Sequence, residues 1–114
     1  MFFNNIIASS MIENGDSGKS CVVIDAEEEN GIEDIHITDF IFTTQGGMKA
    51  CDSLKIIPTH EKKRAEGFNY KGQLPAYGLF ARNASGVCLR NFQVRTRNAD
   101  ERDLIYSENC SVER

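Results

Sequence analysis

Apolar and polar residues alternate by the same six-residue rule in residues 3–8 (FNNIIA), 37–42 (ITDFIF) and 89–94 (LRNFQV). In each stretch an apolar residue lies two positions before an Asn or Asp, and others follow one and three positions after it. Alternation on both sides of one polar residue predicts a strand, a corner and a second strand. Asn and Asp suit the corner because they tolerate the left-handed backbone and form local hydrogen bonds.

The repeat extends further between its second and third copies, where residues 35–37 (IHI) align with residues 87–89 (VCL). Strand, corner and strand in repetition are typical of one coil of a right-handed parallel β-helix. The pattern therefore predicts an all-β chain in which apolar side chains of successive coils stack in a common interior.

The chain has 114 residues, which allows one domain with a single core. Further strands are predicted at 21–26 and 77–83, and residues 104–112 echo residues 78–87 with one residue missing. We count about three coils, and the first and last are expected to be incomplete.

Residues 43–76 interrupt the alternation and contain a Gln-Gly-Gly turn and a charged run. A connection of this length without strong structure of its own is usually functional or mobile. In a coiled repeat architecture such insertions leave the stack on one side and often shape a binding surface. We therefore predict a partial β-helix domain over 1–114 with an inserted loop over 43–76.

Net charge argues against two classes of partner. The chain carries a formal charge of −4, so neither nucleic acid nor an anionic membrane surface is expected. No stretch approaches the roughly 20 apolar residues of a membrane-spanning helix. The first residues lack the basic and apolar regions of a signal peptide, and the compartment stays undetermined from sequence.

The ends of the predicted stack carry no amphipathic capping helix. Each coil buries its apolar face only against its neighbours, and exposed strand edges promote pairing with another chain. We therefore expect self-association through the open ends.

Cysteine and histidine usage gives little sign of a metal site. Cys21, Cys51, Cys88 and Cys110 are far apart, without the paired spacing of zinc sites, and the sequence implies no cofactor. Unpaired thiols are the simpler interpretation, with a disulfide framework as the alternative. His36 and His60 are interpreted as surface residues.

Two kinds of charged group could bind or cleave an acidic sugar. Arg82, Arg90, Arg95 and Arg97 lie near the third repeat, and guanidinium groups bind carboxylates through paired hydrogen bonds. The competing interpretation is that they keep a strand edge soluble. Glycosidases use two carboxylates, and the candidate pairs are Asp25 with Glu27, Asp34 with Asp39, and Asp100 with Asp103. Corner and loop positions explain these acids more simply.

Residues 72–83 (GQLPAYGLFARN) and 86–92 (GVCLRNF) resemble the late coils of bacterial polygalacturonase-like glycoside hydrolases of the pectin-lyase-like β-helix superfamily. In that family a similar Gly-x-Leu-Pro-Ala-Tyr-Gly run precedes a Gly-Leu-x-Leu-x-Asn-Val coil. Residues 31–35 (GIEDI), 45–47 (QGG) and 100–102 (DER) also resemble the family. The similarity covers most of residues 22–112.

The resemblance implies hydrolysis of pectic polymers with inversion in complete members, which are typically secreted or periplasmic. The family's Asn-Thr-Asp, Asp-Asp, Gly-His and Arg-x-Lys signatures are absent from the chain, and residues 95–97 (RTR) come nearest to the last. No catalytic residue is therefore assigned. The resemblance implies a C-terminal β-helix segment of such an enzyme, without glycosidase activity of its own. The alternative is a non-catalytic carbohydrate-binding or assembly module that uses the 43–76 insertion and the arginines. The candidate substrate contacts are Arg82, Arg95 and Arg97.

Overall fold

The computed structural model describes residues 1–9, 21–26, 31–49 and 74–114. Its elements are all strands: β1 (Phe2–Ser9), β2 (Val22–Asp25), β3 (Ile32–Gly46), β4 (Ala76–Arg82), β5 (Ala84–Asn98), β6 (Asp103–Glu108) and β7 (Val112–Glu113). In this part of the chain no helix is long and apolar enough to cross a membrane. The all-β prediction is confirmed.

The strands form two parallel sheets, and the chain alternates between them. One sheet has the order β1-β3-β5-β7 and the other has the order β2-β4-β6. All five strand pairs are parallel. Parallel neighbours need crossover connections, and here the crossovers run through the opposite sheet. This arrangement is compatible with a β-helix.

The register of the first sheet aligns the three sequence repeats. Phe3 pairs with Ile37 and Ile6 with Phe40, while Ile37 pairs with Leu89 and Phe40 with Phe92. The predicted corners are also confirmed. Their residues Asn5, Asp39 and Asn91 have φ of 55°, 54° and 50°, in the left-handed region.

Further residues adopt the left-handed backbone, although the sequence analysis did not predict it for them. Asp34, Asn83 and Asn109 have φ between 49° and 57°, and Gly86 has φ of 70°. Gly86 stands opposite Asp34, since the residues on either side of the two are paired. Short polar side chains and glycine occupy these bends because other L-residues pay a steric penalty there.

The interior consists of inward-facing residues from both sheets. Its buried members are Ile35, Ile37, Phe40, Phe42, Leu79, Ala81, Ala84, Val87 and Leu89. A smaller cluster joins Leu74 and Phe80 on the other face of the second sheet, where the ring of Phe80 stacks on Tyr106 at 5.5 Å. Apolar positions of neighbouring strands in the first sheet are thus paired in parallel register.

Two details of the second sheet also follow from the sequence. Arg82 pairs with Glu108, whereas Val87 pairs with Val112, so the later segment is one residue shorter, as predicted. The register of β4 on β6 shifts between Ala76 and Leu79. There a Cβ on Gly78 would lie 2.6 Å from the backbone oxygen of Leu104, so only glycine fits.

The inserted segment begins later than the sequence suggested. Strand β3 continues through Gly46, so residues 43–46 belong to the sheet. Its alternation is hidden in the sequence because the buried side chain after Phe42 is the polar Thr44, 0% exposed. Strand β4 begins at Ala76, and residues 50–73 lie outside the described part of the chain.

Backbone conformation at the corner can be tested at Asn91. Asn91→Ala should have a free energy of unfolding about 1 kcal/mol lower than Asn91→Gly, because only glycine adopts φ of 50° without steric cost. Both variants lose the hydrogen bond from Asn91 to Asp39 Oδ1, so their difference isolates the backbone. Urea denaturation would measure it.

Gln93 provides the matched control, because it lies two residues further along β5 and is not among the left-handed residues. At this position Gln93→Gly should be less stable than Gln93→Ala, because glycine loses more conformational entropy in a strand. The same stability order at both positions would contradict the left-handed assignment.

Candidate functional site

Arg82, predicted as a substrate contact, points into the protein. Its side chain is 4% exposed and that of Asp25 is 2% exposed. Nε and Nη2 of Arg82 donate to the two carboxylate oxygens of Asp25, each at 2.8 Å. The guanidinium carbon also lies 5.6 Å from the centre of the Phe80 ring. Arg82 therefore joins β4 to β2 and is not a surface ligand for a sugar.

The corner beside Arg82 extends this connection through backbone and amide hydrogen bonds. Asn83 Nδ2 donates to the carbonyl oxygen of Ala26 at 2.8 Å, and Asn109 Nδ2 donates to Asn83 Oδ1 at 2.8 Å. The Asn83 amide donates to the carbonyl oxygen of Glu108. Amide side chains thus link three successive levels of the second sheet at one corner.

The other predicted arginines are exposed on β5. Arg90, Arg95 and Arg97 all lie on the surface, and β5 contains no acidic residue. Among the described residues β5 pairs with β7 only at Val87 and Cys88. From Leu89 onwards no described strand pairs with the outer edge of β5. The exposed arginines along this strand, called the arginine row below, could bind a polyanion.

Asp100 and Arg102 form a second buried ion pair, in the loop predicted to be polar and solvated. Both side chains are 1% exposed. Arg102 Nε and Nη2 donate to the two Asp100 oxygens at 2.8 and 2.9 Å, and the Arg102 backbone amide donates to Asp100 Oδ1 at 3.0 Å. Bidentate pairing of this kind offsets the cost of removing two charges from water.

This ion pair also binds the described residues on either side of 50–73. Arg102 Nη1 donates to the carbonyl oxygen of Leu74 at 3.2 Å, and the Met48 amide donates to Asp100 Oδ2 at 3.3 Å. The Glu101 amide donates to the carbonyl oxygen of Met48 at 2.9 Å. The points where the insertion leaves and rejoins the sheets are therefore attached to one loop.

Contacts of Asp100 determine its protonation. Burial by itself would raise its pKa, but hydrogen bonds from the side chain and amide of Arg102, the charge of Arg102 and the Met48 amide outweigh burial. The net effect holds the pKa of Asp100 below its usual value. A carboxyl in this state stays ionised at neutral pH and is a poor proton donor.

The other candidate acids within the described residues lie at separate positions. Asp34 and Asp39 are corner residues, Asp103 is exposed at the start of β6, and Glu27 lies outside the described residues. Within the described ranges there is no group of three or more His, Cys, Asp and Glu residues suited to a metal ion.

Three cysteines and one histidine lie within the described residues. Cys21, Cys88 and Cys110 are free, while Cys51 and His60 lie outside the described residues. Burial raises the pKa of the Cys21 thiol to about 11, so it is a poor nucleophile. His36 stacks on the ring of Phe2, with ring centres 4.9 Å apart.

Sequence reasoning missed both buried ion pairs. Asp25 ends an apolar run that pairs in register with β4, and its partner in that register is Arg82. Asp25 and Arg82 each end an apolar run in the sequence, and this shared position could have indicated that they form an ion pair. The Asp100–Arg102 pair was harder to detect, because it lies in a run of four charged residues, 100–103, and such a run is typical of a loop.

Comparisons of the chain with protein-family models, with curated proteins and with solved structures found no match.

Acid sensitivity should reveal the Asp100–Arg102 pair. Since the folded state lowers the pKa of Asp100, its contribution to stability is complete above the unfolded value, near pH 4, and is lost as pH falls through the folded value. Asp100→Asn should lower the free energy of unfolding at pH 7 and flatten its decline below about pH 4. Urea denaturation between pH 7 and pH 2 would measure both effects.

Asp103→Asn is the control, because Asp103 is exposed three residues away. This variant should keep the acid slope of the unsubstituted chain. An acid slope in Asp100→Asn as steep as that of the control would contradict the assignment.

Proposed function

We propose that the two sheets belong to a short right-handed parallel β-helix of the pectin-lyase-like type, with about three coils and a long insertion. The chain's alternation between two parallel sheets supports this proposal. So do the aligned repeats and the left-handed Asn and Asp corners. The resemblance of residues 72–83 to late polygalacturonase-like coils is consistent with the same fold.

We propose further that the chain corresponds to the C-terminal coils of a polygalacturonase-like enzyme and does not itself hydrolyse pectic polymers. The supporting observation is the state of Asp25 and Asp100, whose carboxylates are buried in the part of the chain that the structure describes. Each receives two side-chain hydrogen bonds from an arginine. Glycoside hydrolysis needs one carboxyl that is protonated near neutral pH and faces the scissile bond. Carboxylates bound to arginine inside the protein serve the fold.

The absence of hydrolysis is directly testable. The purified chain should release no reducing ends from polygalacturonate above the level of heat-denatured protein, because the buried carboxylates Asp25 and Asp100 are bound to arginine. A reducing-sugar assay against an active polygalacturonase would measure this. Release that co-elutes with the folded chain in size-exclusion chromatography would overturn the proposal.

A second candidate function is non-catalytic binding of an acidic polysaccharide, and the arginine row favours it. Arg95 and Arg97 are exposed two residues apart on β5, which places them on the same face about 6.6 Å apart along the strand. Guanidinium groups at this spacing present several donors to a chain of carboxylates. β5 contributes no negative charge that would oppose the contact.

Calorimetric titration with oligogalacturonides tests this second function. The unsubstituted chain should release or absorb heat on binding, and Arg95→Ala combined with Arg97→Ala should weaken binding at least about tenfold, as expected for two charge-assisted contacts. Lys49→Ala is the control, because Lys49 is an exposed cation outside β5. Binding that is unchanged by the double substitution would remove this function.

A further inference from the structure

One end of the stack carries every exposed large apolar side chain of the described residues. These are Met1, Phe2, Phe3, Ile7 and Val23, with exposed fractions of 61%, 73%, 39%, 83% and 43%. They lie on or beside β1 and β2, the edge strands of the two sheets. Exposed apolar side chains are thus concentrated on the two edge strands, which is where a contact with a further layer would form.

The interior is open at the same end, which is called the β1–β2 end below. A cavity of about 450 Å³ lies there. Its lining includes Phe3 from β1, Val22 and Ile24 from β2, and Ile35 and Phe40 from β3. Core side chains that would be covered by a further layer therefore face this opening.

The two edge strands themselves carry little exposed charge. β1 consists of Phe, Asn, Ile, Ala and Ser residues only. The acid of β2 is Asp25, which is bound to Arg82 and 2% exposed in its side chain. The terminal amine of Met1 donates to the carbonyl oxygen of Asp34 at 2.8 Å. Within the described residues, β1 and β2 thus lack the exposed charges with which proteins usually keep strand edges from pairing.

The opposite end is protected by charge. Its edge along β5 carries the exposed Arg90, Arg95 and Arg97, and the neighbouring β6 and β7 contribute the exposed Glu108 and Glu113. Stacking this end on the β1–β2 end of another copy would remove water from arginines without supplying acids, which is costly. An occupant of the β1–β2 end must itself be apolar, uncharged and edged by free strands.

We propose that two copies of the chain associate through their β1–β2 ends, in a closed dimer with two-fold symmetry. Each copy offers the other apolar side chains that can cover the cavity and edge strands that can pair with its own. A two-fold contact places like surfaces together and stops at two copies. The dimer leaves the arginine row exposed, so it is compatible with either function proposed above and depends on neither.

Light scattering coupled to size-exclusion chromatography, from about 1 µM to about 500 µM, tests the dimer. The mass should rise with concentration from the 12.8 kDa of one chain to twice that value and no further. Phe3→Lys and Val23→Lys should each raise the dimer dissociation constant about tenfold or more, because each puts a charge into the contact. Arg95→Glu, at the opposite end, should leave the constant unchanged.

A second measurement stands independently of how well the variants fold. In hydrogen exchange of the unsubstituted chain, amides of residues 2–9 should be more protected at high than at low concentration, and those of residues 89–98 should not change. A monomer throughout would overturn the dimer and assign this end to a different segment or chain. Growth beyond two copies, or a dimer weakened by Arg95→Glu, would overturn it in favour of head-to-tail stacking.

Discussion

Parallel registration of like side chains is the constraint on which the structure depends. Ile35 stacks on Val87 and Ile37 on Leu89 because β3 and β5 run parallel and in register over almost their whole length. In parallel strands, a shift of one residue would turn every inward side chain outward. The corners therefore have to fall at the same place in every strand, and Asn5, Asp39 and Asn91 do so. Small polar residues at the bends and apolar residues between them are two consequences of one geometry.

Buried ion pairs stabilise the places where this regularity ends. Arg82 and Asp25 lie at the ends of their strands, next to the Asn83 corner. Asp100 and Arg102 lie where the chain passes between the sheets and where the insertion is attached. At such points backbone groups leave the ladders and need other partners. Arginine supplies several donors at once, which explains why both pairs use it.

The division of charge between inside and outside shapes the functional proposal. Two of the candidate acids, Asp25 and Asp100, are bound to arginine in the interior, whereas Arg90, Arg95 and Arg97 are exposed on β5. This contrast is the reason for proposing that the chain binds an acidic polymer and does not cleave it. The β1–β2 end is a third surface with its own chemistry, and its apolar composition suits a copy of itself.

The sequence by itself determined the periodic features: the parallel strands, the repeats and their register, the corners at Asn5, Asp39 and Asn91, and the missing residue near the end. These depend on local alternation and on the steric tolerance of Asn and Asp, which a short window of sequence contains. The tertiary structure alone decided where the charges went. Arg82 and Arg95 both lie on strands, yet one is buried against Asp25 and the other is exposed. Asp100 and Arg102 are neighbours in sequence, but their burial also involves Met48 and Leu74, far away in the chain. Thr44 is buried opposite Thr96 of β5. Only the folded structure brings these distant residues together.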